Sequence, residues 1–395
     1  MLKRASILFL IAISISHCKT TENESSNQSS VIASKENLMK VKAKLLPNGE
    51  QGPFCETAPD FLFLKHQKSF SWENAFSLHW LSWSNLDVHD ESNSGQRSME
   101  SSWGFDEIKS FEKRGSKYSL YRKNNVLYLT FRHSDNLTNW ISNINVRAKV
   151  KTNHAYALGK QTLHSGFHNS LADLWPNLLN DMLDYDPNKS LPIYVSGHSL
   201  AAAQGELAAA GLANLGFQIA GTYLSGAPKV AGSDWVNAAK KLKSYGGRTL
   251  QDVTYRIQNG PDIIGRVPVH ADARKIVAGL PEALFTGGDT NPILKKAGEV
   301  IYGQLSKNIG WILNLPDFDS MGTVYTFDGQ GAFVGTSTDH SADDIKFWSD
   351  RIEELRQISN PIERARAFAD FLSFHFVRYE KGYACTMLNH MIQKS

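Results

Sequence analysis

Apolar and polar positions along this chain repeat with two different periods. Over residues 117–132, KYSLYRKNNVLYLTFR, two alternating runs are joined through Lys123, Asn124 and Asn125, a pattern that predicts a β-hairpin. In 71–85, SWENAFSLHWLSWSN, the residues Ala75, Phe76, Leu78, His79, Leu81 and Trp83 instead gather around a helical period. A long helix is predicted from His164 to Tyr185, where Phe167, Leu171, Leu174, Leu178 and Leu179 recur at helical spacing. Leu191 to Val195 form a short apolar run, which predicts a buried strand, and an alanine-rich helix is expected from Leu200. Further strands are expected over 219–227 and 252–259. Strands alternating with helices predict an α/β fold with a largely parallel sheet, whose ligands sit beyond the carboxyl ends of the strands.

At 395 residues the chain is long enough to bury a large core, and its net charge of +3 comes without any long basic run. Nucleic acid is therefore not an expected partner. Lys3 and Arg4 precede an apolar stretch from Ala5 to Ile15, the profile of a signal peptide over 1–17. Ile15, Ser16, His17 and Cys18 resemble a bacterial lipobox, which implies acylation of Cys18 and a membrane anchor; simple secretion with an unmodified Cys18 is the alternative. The polar stretch 18–45 reads as a tether, and 46–395 as one globular domain with a helical C-terminal extension. In an exported chain the remaining cysteines, Cys55 and Cys385, are expected to pair, or else to stay as buried thiols.

The candidate chemistry begins at Gly197-His198-Ser199-Leu200-Ala201, at the end of the 191–195 strand. A sharp strand-to-helix turn there would lift the Ser199 hydroxyl above the sheet, and it requires small residues at 197 and 201. Alanine at 201 adds one methyl to the glycine usual in this pattern. A serine needs a base to take its proton, and the base needs an acceptor, met in the chain order Ser, Asp, His. Asp262 leaves a strand through an Asn-Gly-Pro turn, with Asp272 as a spare acid. His340 follows a strand-like run and a polar turn. His270 lies close to Asp262 in sequence, His375 falls in an aromatic helical segment that suits a core or surface role, and His198 is expected to pack at the elbow.

These motifs resemble the class 3 lipases, α/β hydrolases that include the triacylglycerol lipases of filamentous fungi, over about residues 71–345. Phe131, Arg132, Ser134, Trp140 and Asn143 match the family's oxyanion strand, with His133 standing where the family has glycine. His164, Gly166 and Phe167 match its His-x-Gly-Phe segment, and Arg256, Ile257 and Asn259 precede Asp262 as in its aspartate strand. The resemblance implies an α/β-hydrolase fold with a mostly parallel central sheet flanked by helices. It also implies a Ser199, Asp262, His340 triad, and an oxyanion hole from the backbone N–H groups of Ser134 and Leu200. The implied activity is hydrolysis of lipid or other acyl esters through an acyl-enzyme, with no metal and no organic cofactor. Residues 135–142 would be a lid or a fixed core-covering helix, and 291–316 an amphipathic helix over the acyl pocket or mere padding. The alternatives are a non-catalytic surface lipoprotein using the fold as a binding scaffold, favoured by His133 and Ala201, and an acyltransferase or thioesterase.

Overall fold

The computed structural model describes residues 36–40, 61–64, 69–84, 103–132, 153–159, 162–285, 317–370, 373–375 and 382–395. Strands β1 (Glu107–Lys113), β2 (Ser116–Lys123) and β3 (Val126–Phe131) run antiparallel. Next to β3 the sheet continues in parallel through β4 (Pro192–His198), β5 (Gln218–Ser225), then, past a short β6 (Ala231–Gly232), β7 (Thr254–Asn259). A two-residue β8 (Phe318–Asp319) pairs with β6 apart from the main sheet, while β9 (Thr323–Phe327) lies parallel to β7 and β10 (Phe333–Ser337) closes antiparallel. The sheet order is β1-β2-β3-β4-β5-β7-β9-β10. It is thus mixed, with a parallel centre and antiparallel margins.

Local chemistry explains the elements. The β2–β3 hairpin turns on Asn124 and Asn125 at φ 51° and 59°, the positive values that a two-residue turn of this twist requires and that asparagine tolerates. Helix α1 (Trp72–Ser84) takes up the predicted 71–85 segment, and α2 (Ser165–Tyr185) begins where the His164 ring accepts a hydrogen bond from the Gly166 N–H at 3.2 Å. Phe167, Leu171, Leu174, Leu178 and Met182 give α2 one buried stripe. Helix α3 (Leu200–Asn214) is buried from Ala201 to Ala213. Its small residues let it be enclosed on all sides; a Cβ at Gly211 would fall 2.5 Å from the Trp175 ring and 2.8 Å from Tyr156.

Strand residues alternate between two cores. Leu127, Leu129, Phe131, Ile193 and Val195 face α2 and α3. Tyr121, Tyr128, Tyr194 and Tyr223 point the other way, into a ring-rich core shared with α1 and the C-terminal helix α6. That C-terminal part, α4 (His340–Gln357), α5 (Pro361–Asp370) and α6 (Tyr383–Lys394), is helical as its pattern predicts. Helix α6 joins the ring-rich core, with Cys385 buried there, whereas α4 packs through Phe347, Trp348, Ile352 and Leu355 against Val269, Ala273 and Leu280 in a separate cluster. Cys55, Cys18 and the signal and tether segments lie outside the described residues, as do His133, Ser134, 135–142 and 291–316.

Candidate active site

Ser199 sits between β4 and α3 at φ 60°, ψ −127°, a conformation that L-residues adopt only under constraint. Three features hold it there. The Ser199 N–H donates to the Ser225 carbonyl at 3.0 Å, pinning the turn to the adjacent strand. A Cβ at position 197 would fall 2.3 Å from the Ala201 carbonyl oxygen, so only glycine fits. The Ser199 carbonyl accepts from the N–H groups of Ala202 and Ala203, which starts the helix. The methyl of Ala201 is wholly buried and absorbed by the packing. Glycine is thus a requirement at 197 and not at 201. Leu200 opens the helix, where backbone N–H groups have no carbonyl one turn earlier to bond.

Asp262 follows β7 through a turn closed by its own N–H to the Asn259 carbonyl at 3.1 Å, with Gly260 at φ +48°. Its side chain is fully buried and receives three hydrogen bonds. Ile264 N–H donates to Oδ1 at 2.8 Å, and the Tyr383 hydroxyl donates to Oδ2 at 2.6 Å. The third partner, at 2.7 Å from Oδ2, is Nδ1 of His375. Burial and the neighbouring Asp262 charge push the Tyr383 phenol well above its ordinary range, so it remains a donor.

His375 lies in a single 3₁₀ turn, Ser373–His375, and the Asn259 side-chain amide fixes this turn by donating to the Phe374 carbonyl at 2.9 Å. Gly226, at φ +53°, makes room for the pair; a Cβ there would stand 2.9 Å from His375 Cε1 and 3.0 Å from Asp262 Oδ2. Ser199 Oγ and His375 Nε2 are both buried, and neither has a hydrogen-bond partner among the described residues. Both atoms are therefore uncommitted.

The histidine that meets Asp262 is His375, and His340 is engaged elsewhere. His340 is the first residue of α4, capped by Asp339, and its Nε2 donates to the Gly322 carbonyl at 3.2 Å. It lines a small polar cavity with Lys229, Arg256, Arg266 and Asp344. Burial, and then the Arg256, Lys229 and Lys240 charges, push its pKa down to about 3. Cations around a neutral imidazole are the reverse of what a general base needs. The polar turn after β10 is the cap of a helix, not a loop over the sheet edge.

Asp272, the spare acid, belongs to a second Ser/His/Asp grouping at the surface. There Ser341 Oγ donates to Asp272 Oδ2 at 2.6 Å, while His270 Nδ1 accepts from the Asp272 N–H at 3.3 Å and stands 3.4 Å from the same carboxylate oxygen. The hydroxyl is given to the carboxylate, and the imidazole stands between Asp272 and Asp317, with Nε2 3.8 Å from Asp317 Oδ1, so neither ring nitrogen is bonded to this serine. The Asp272 side chain is 61% exposed. Solvent would weaken any charge relay through it.

Buried charge steadies the loops that frame the site. Arg256 meets Glu206 at 2.6 Å and also donates to the Ala227 and Pro228 carbonyls, while Lys229 donates to Asp344 and to the Arg266 and Pro268 carbonyls. These bonds tie the segment after β5 to the one after β7. Sequence reasoning did not single out Tyr383, Gly226 or these ion pairs. Among the described residues there is no cluster of histidine, cysteine or carboxylate side chains able to hold a metal ion.

Residues 128–271 match the family model described as lipase (class 3). No curated protein sequence matches. Among solved structures, the chain is similar to the Rhizomucor miehei triacylglyceride lipase at 16% identity, covering 71% of this chain and 83% of that one, with a TM-score of 0.42. The nonglycosylated Yarrowia lipolytica lipase gives 22% identity over 50% of this chain and 73% of its own, with a TM-score of 0.37. A lipase from Rhizopus microsporus var. chinensis gives 16%, 64%, 74% and 0.38 in the same terms.

The family match over 128–271 and the mixed sheet flanked by helices are consistent with a class 3 lipase-like α/β-hydrolase fold. Its chemistry is that of a serine hydrolase working through an acyl-enzyme.

Proposed function

We propose that this protein hydrolyses lipid acyl esters, with Ser199 as nucleophile, His375 as general base and Asp262 as the group that orients it. The observation that carries this reading is the buried His375–Asp262 hydrogen bond of 2.7 Å, with the His375 ring 4.5 Å from that of His198, the residue before Ser199, which is held at φ 60°. Ser199 Oγ attacks the ester carbonyl carbon while His375 Nε2 takes its proton. The imidazolium so formed keeps its Nδ1–H on Asp262. The Leu200 N–H receives the oxyanion, with the Ser134 N–H as its second donor. As the carbon–oxygen bond to the alcohol breaks, His375 returns the proton to the departing oxygen. Water, deprotonated by the same imidazole, then attacks the acyl-enzyme, and the carboxylic acid leaves with Ser199 restored.

The lipid substrate class is supported by the match over 128–271. Cys18 acylation, the 18–45 tether, a single domain over 46–395 and a Cys55–Cys385 bridge belong to the same picture of an exported enzyme working at a lipid surface. Among the described residues no helix is long and apolar enough to cross a membrane; the anchor in this picture is the acyl chain on Cys18. The test is turnover of short- and long-chain p-nitrophenyl esters and of emulsified triacylglycerol by the wild type and by Ser199→Ala. Equal turnover in the two proteins would end the proposal.

A further inference from the structure

His375 has one fixed hydrogen bond, and one bond does not fix a ring. About the Nδ1···Oδ2 contact with Asp262 the imidazole can still swing, and Nε2 has no partner among the described residues to aim it. The surfaces against the ring must supply the aim. On one side stands Gly226, where a Cβ would come within 2.9 Å of the ring. Another close neighbour is His198, whose ring centroid lies 4.5 Å from that of His375 with 33° between the planes.

His198 is itself tightly set. It is 3% exposed, its backbone pairs with Ser225 in the sheet, and the His79 ring meets it edge-on at 5.3 Å and 88°. Tyr383, the same residue that donates to Asp262, flanks it at 5.4 Å. His198 also immediately precedes Ser199. A ring that touches the base is therefore joined by one peptide unit to the nucleophile, and both are locked to the end of β4.

We infer that His198 is a positioning residue for the proposed reaction: its ring face sets the tilt of His375, so that Nε2 is aimed at the Ser199 hydroxyl. The same face lies against the imidazolium formed during acyl transfer, where an aromatic surface favours a cation. The inference rests on the reading of His375 as the base. What matters at position 198 is then a flat aromatic face, not its capacity to titrate.

The test uses the purified full-length chain and p-nitrophenyl butyrate, with turnover normalised to the sites titrated by a fluorophosphonate burst. His198→Ala is expected to lower kcat by about 10- to 100-fold with KM within about twofold, and His198→Phe to recover kcat to within about threefold of wild type. If His198→Ala fails to fold, His198→Leu takes its place as the bulky variant without a ring face. Wild-type kcat per titrated site in His198→Ala or His198→Leu, a change confined to KM, or a Phe variant as impaired as the Leu one, overturns the inference. His375→Ala is run alongside. Wild-type turnover in that protein overturns the assignment of the base itself, whereas a dead His375→Ala beside a fully active His198→Leu overturns only the positioning role.

Discussion

The His375 imidazole and the Asp262 carboxylate meet at 2.7 Å across 113 residues of sequence. Everything around this contact serves it. Asn259 holds the turn that carries His375, Tyr383 and Ile264 hold the carboxylate, and Gly226 leaves the space. The proposed base thus lies beyond the stretch matched by the family model, in the C-terminal part of the chain.

Replacing the two candidate histidines separates the sequence expectation from the structural finding. His375→Ala is expected to lower kcat/KM by about 10⁴-fold or more, as loss of a triad base does. His340→Ala should leave kcat per folded molecule within about threefold of wild type, since it removes a single neutral hydrogen bond worth about 1 kcal/mol. Steady-state kinetics on p-nitrophenyl butyrate decide between them.

Tyr383→Phe removes one donor from a buried carboxylate and leaves the ring in place. A hydrogen bond to a charged group is worth about 1.5 to 3 kcal/mol, so kcat should fall by about 10- to 100-fold. Substrate saturation curves should show KM nearly unchanged. Full kcat in this variant would mean that Asp262 needs only His375 and Ile264 to hold it.

Gly226→Ala meets two obstacles at once, a backbone at φ +53° and a Cβ at 2.9 Å from His375. The conformational penalty alone is about 1 to 2 kcal/mol, and relief of the clash must move the His375 ring. Both Tm and kcat are expected to drop, with fluorophosphonate labelling slowed in the fraction that remains folded.

Two buried histidines make stability depend on pH. Burial holds His164 at about 4 and His340 at about 3, against an ordinary 6.5. The unfolded chain therefore takes up protons that the folded one refuses. The stability they contribute is present in full above pH 6.5 and is lost as pH falls toward 4 and 3. Each can add at most about 1.4 kcal/mol per pH unit within its window. Urea unfolding at pH 7, 6 and 5 should show this slope, and His340→Gln should flatten it.

The ion pair of Glu206 and Arg256 is buried on both sides, at 2.6 Å. Arg256→Met leaves Glu206 without its counter-charge, and a loss of about 3 to 5 kcal/mol in unfolding free energy is expected. Activity should fall as well, because the Ala227 and Pro228 carbonyls lose the guanidinium that holds the loop beside Gly226.

Much of the architecture was legible in the sequence for physical reasons. The Asn124–Asn125 hairpin, the α2 stripe and the alanine-rich α3 are written in local periodicity and turn chemistry, and the structure follows them closely. The turn at Ser199 was legible because it imposes a small residue at a fixed offset. Asp262 was legible because its strand ends in Asn-Gly-Pro, and the structure sets it at the carboxyl end of β7. His375 carried no such local mark. Its turn is three residues long, and what brings it to Asp262 is the docking of α6 and the Asn259–Phe374 bond, both long-range. The pattern around His340, strand then polar turn then histidine, fits a catalytic loop and a helix cap equally well, and burial among Lys229, Arg256 and Arg266 decides for the cap.

The most direct measurement is the site and rate of fluorophosphonate attachment to the purified full-length chain, read by tandem mass spectrometry. The account predicts an adduct on Ser199, formed at the wild-type rate in His340→Ala and slowed by orders of magnitude in His375→Ala. An adduct on Ser341, or wild-type labelling of Ser199 without His375, would contradict it.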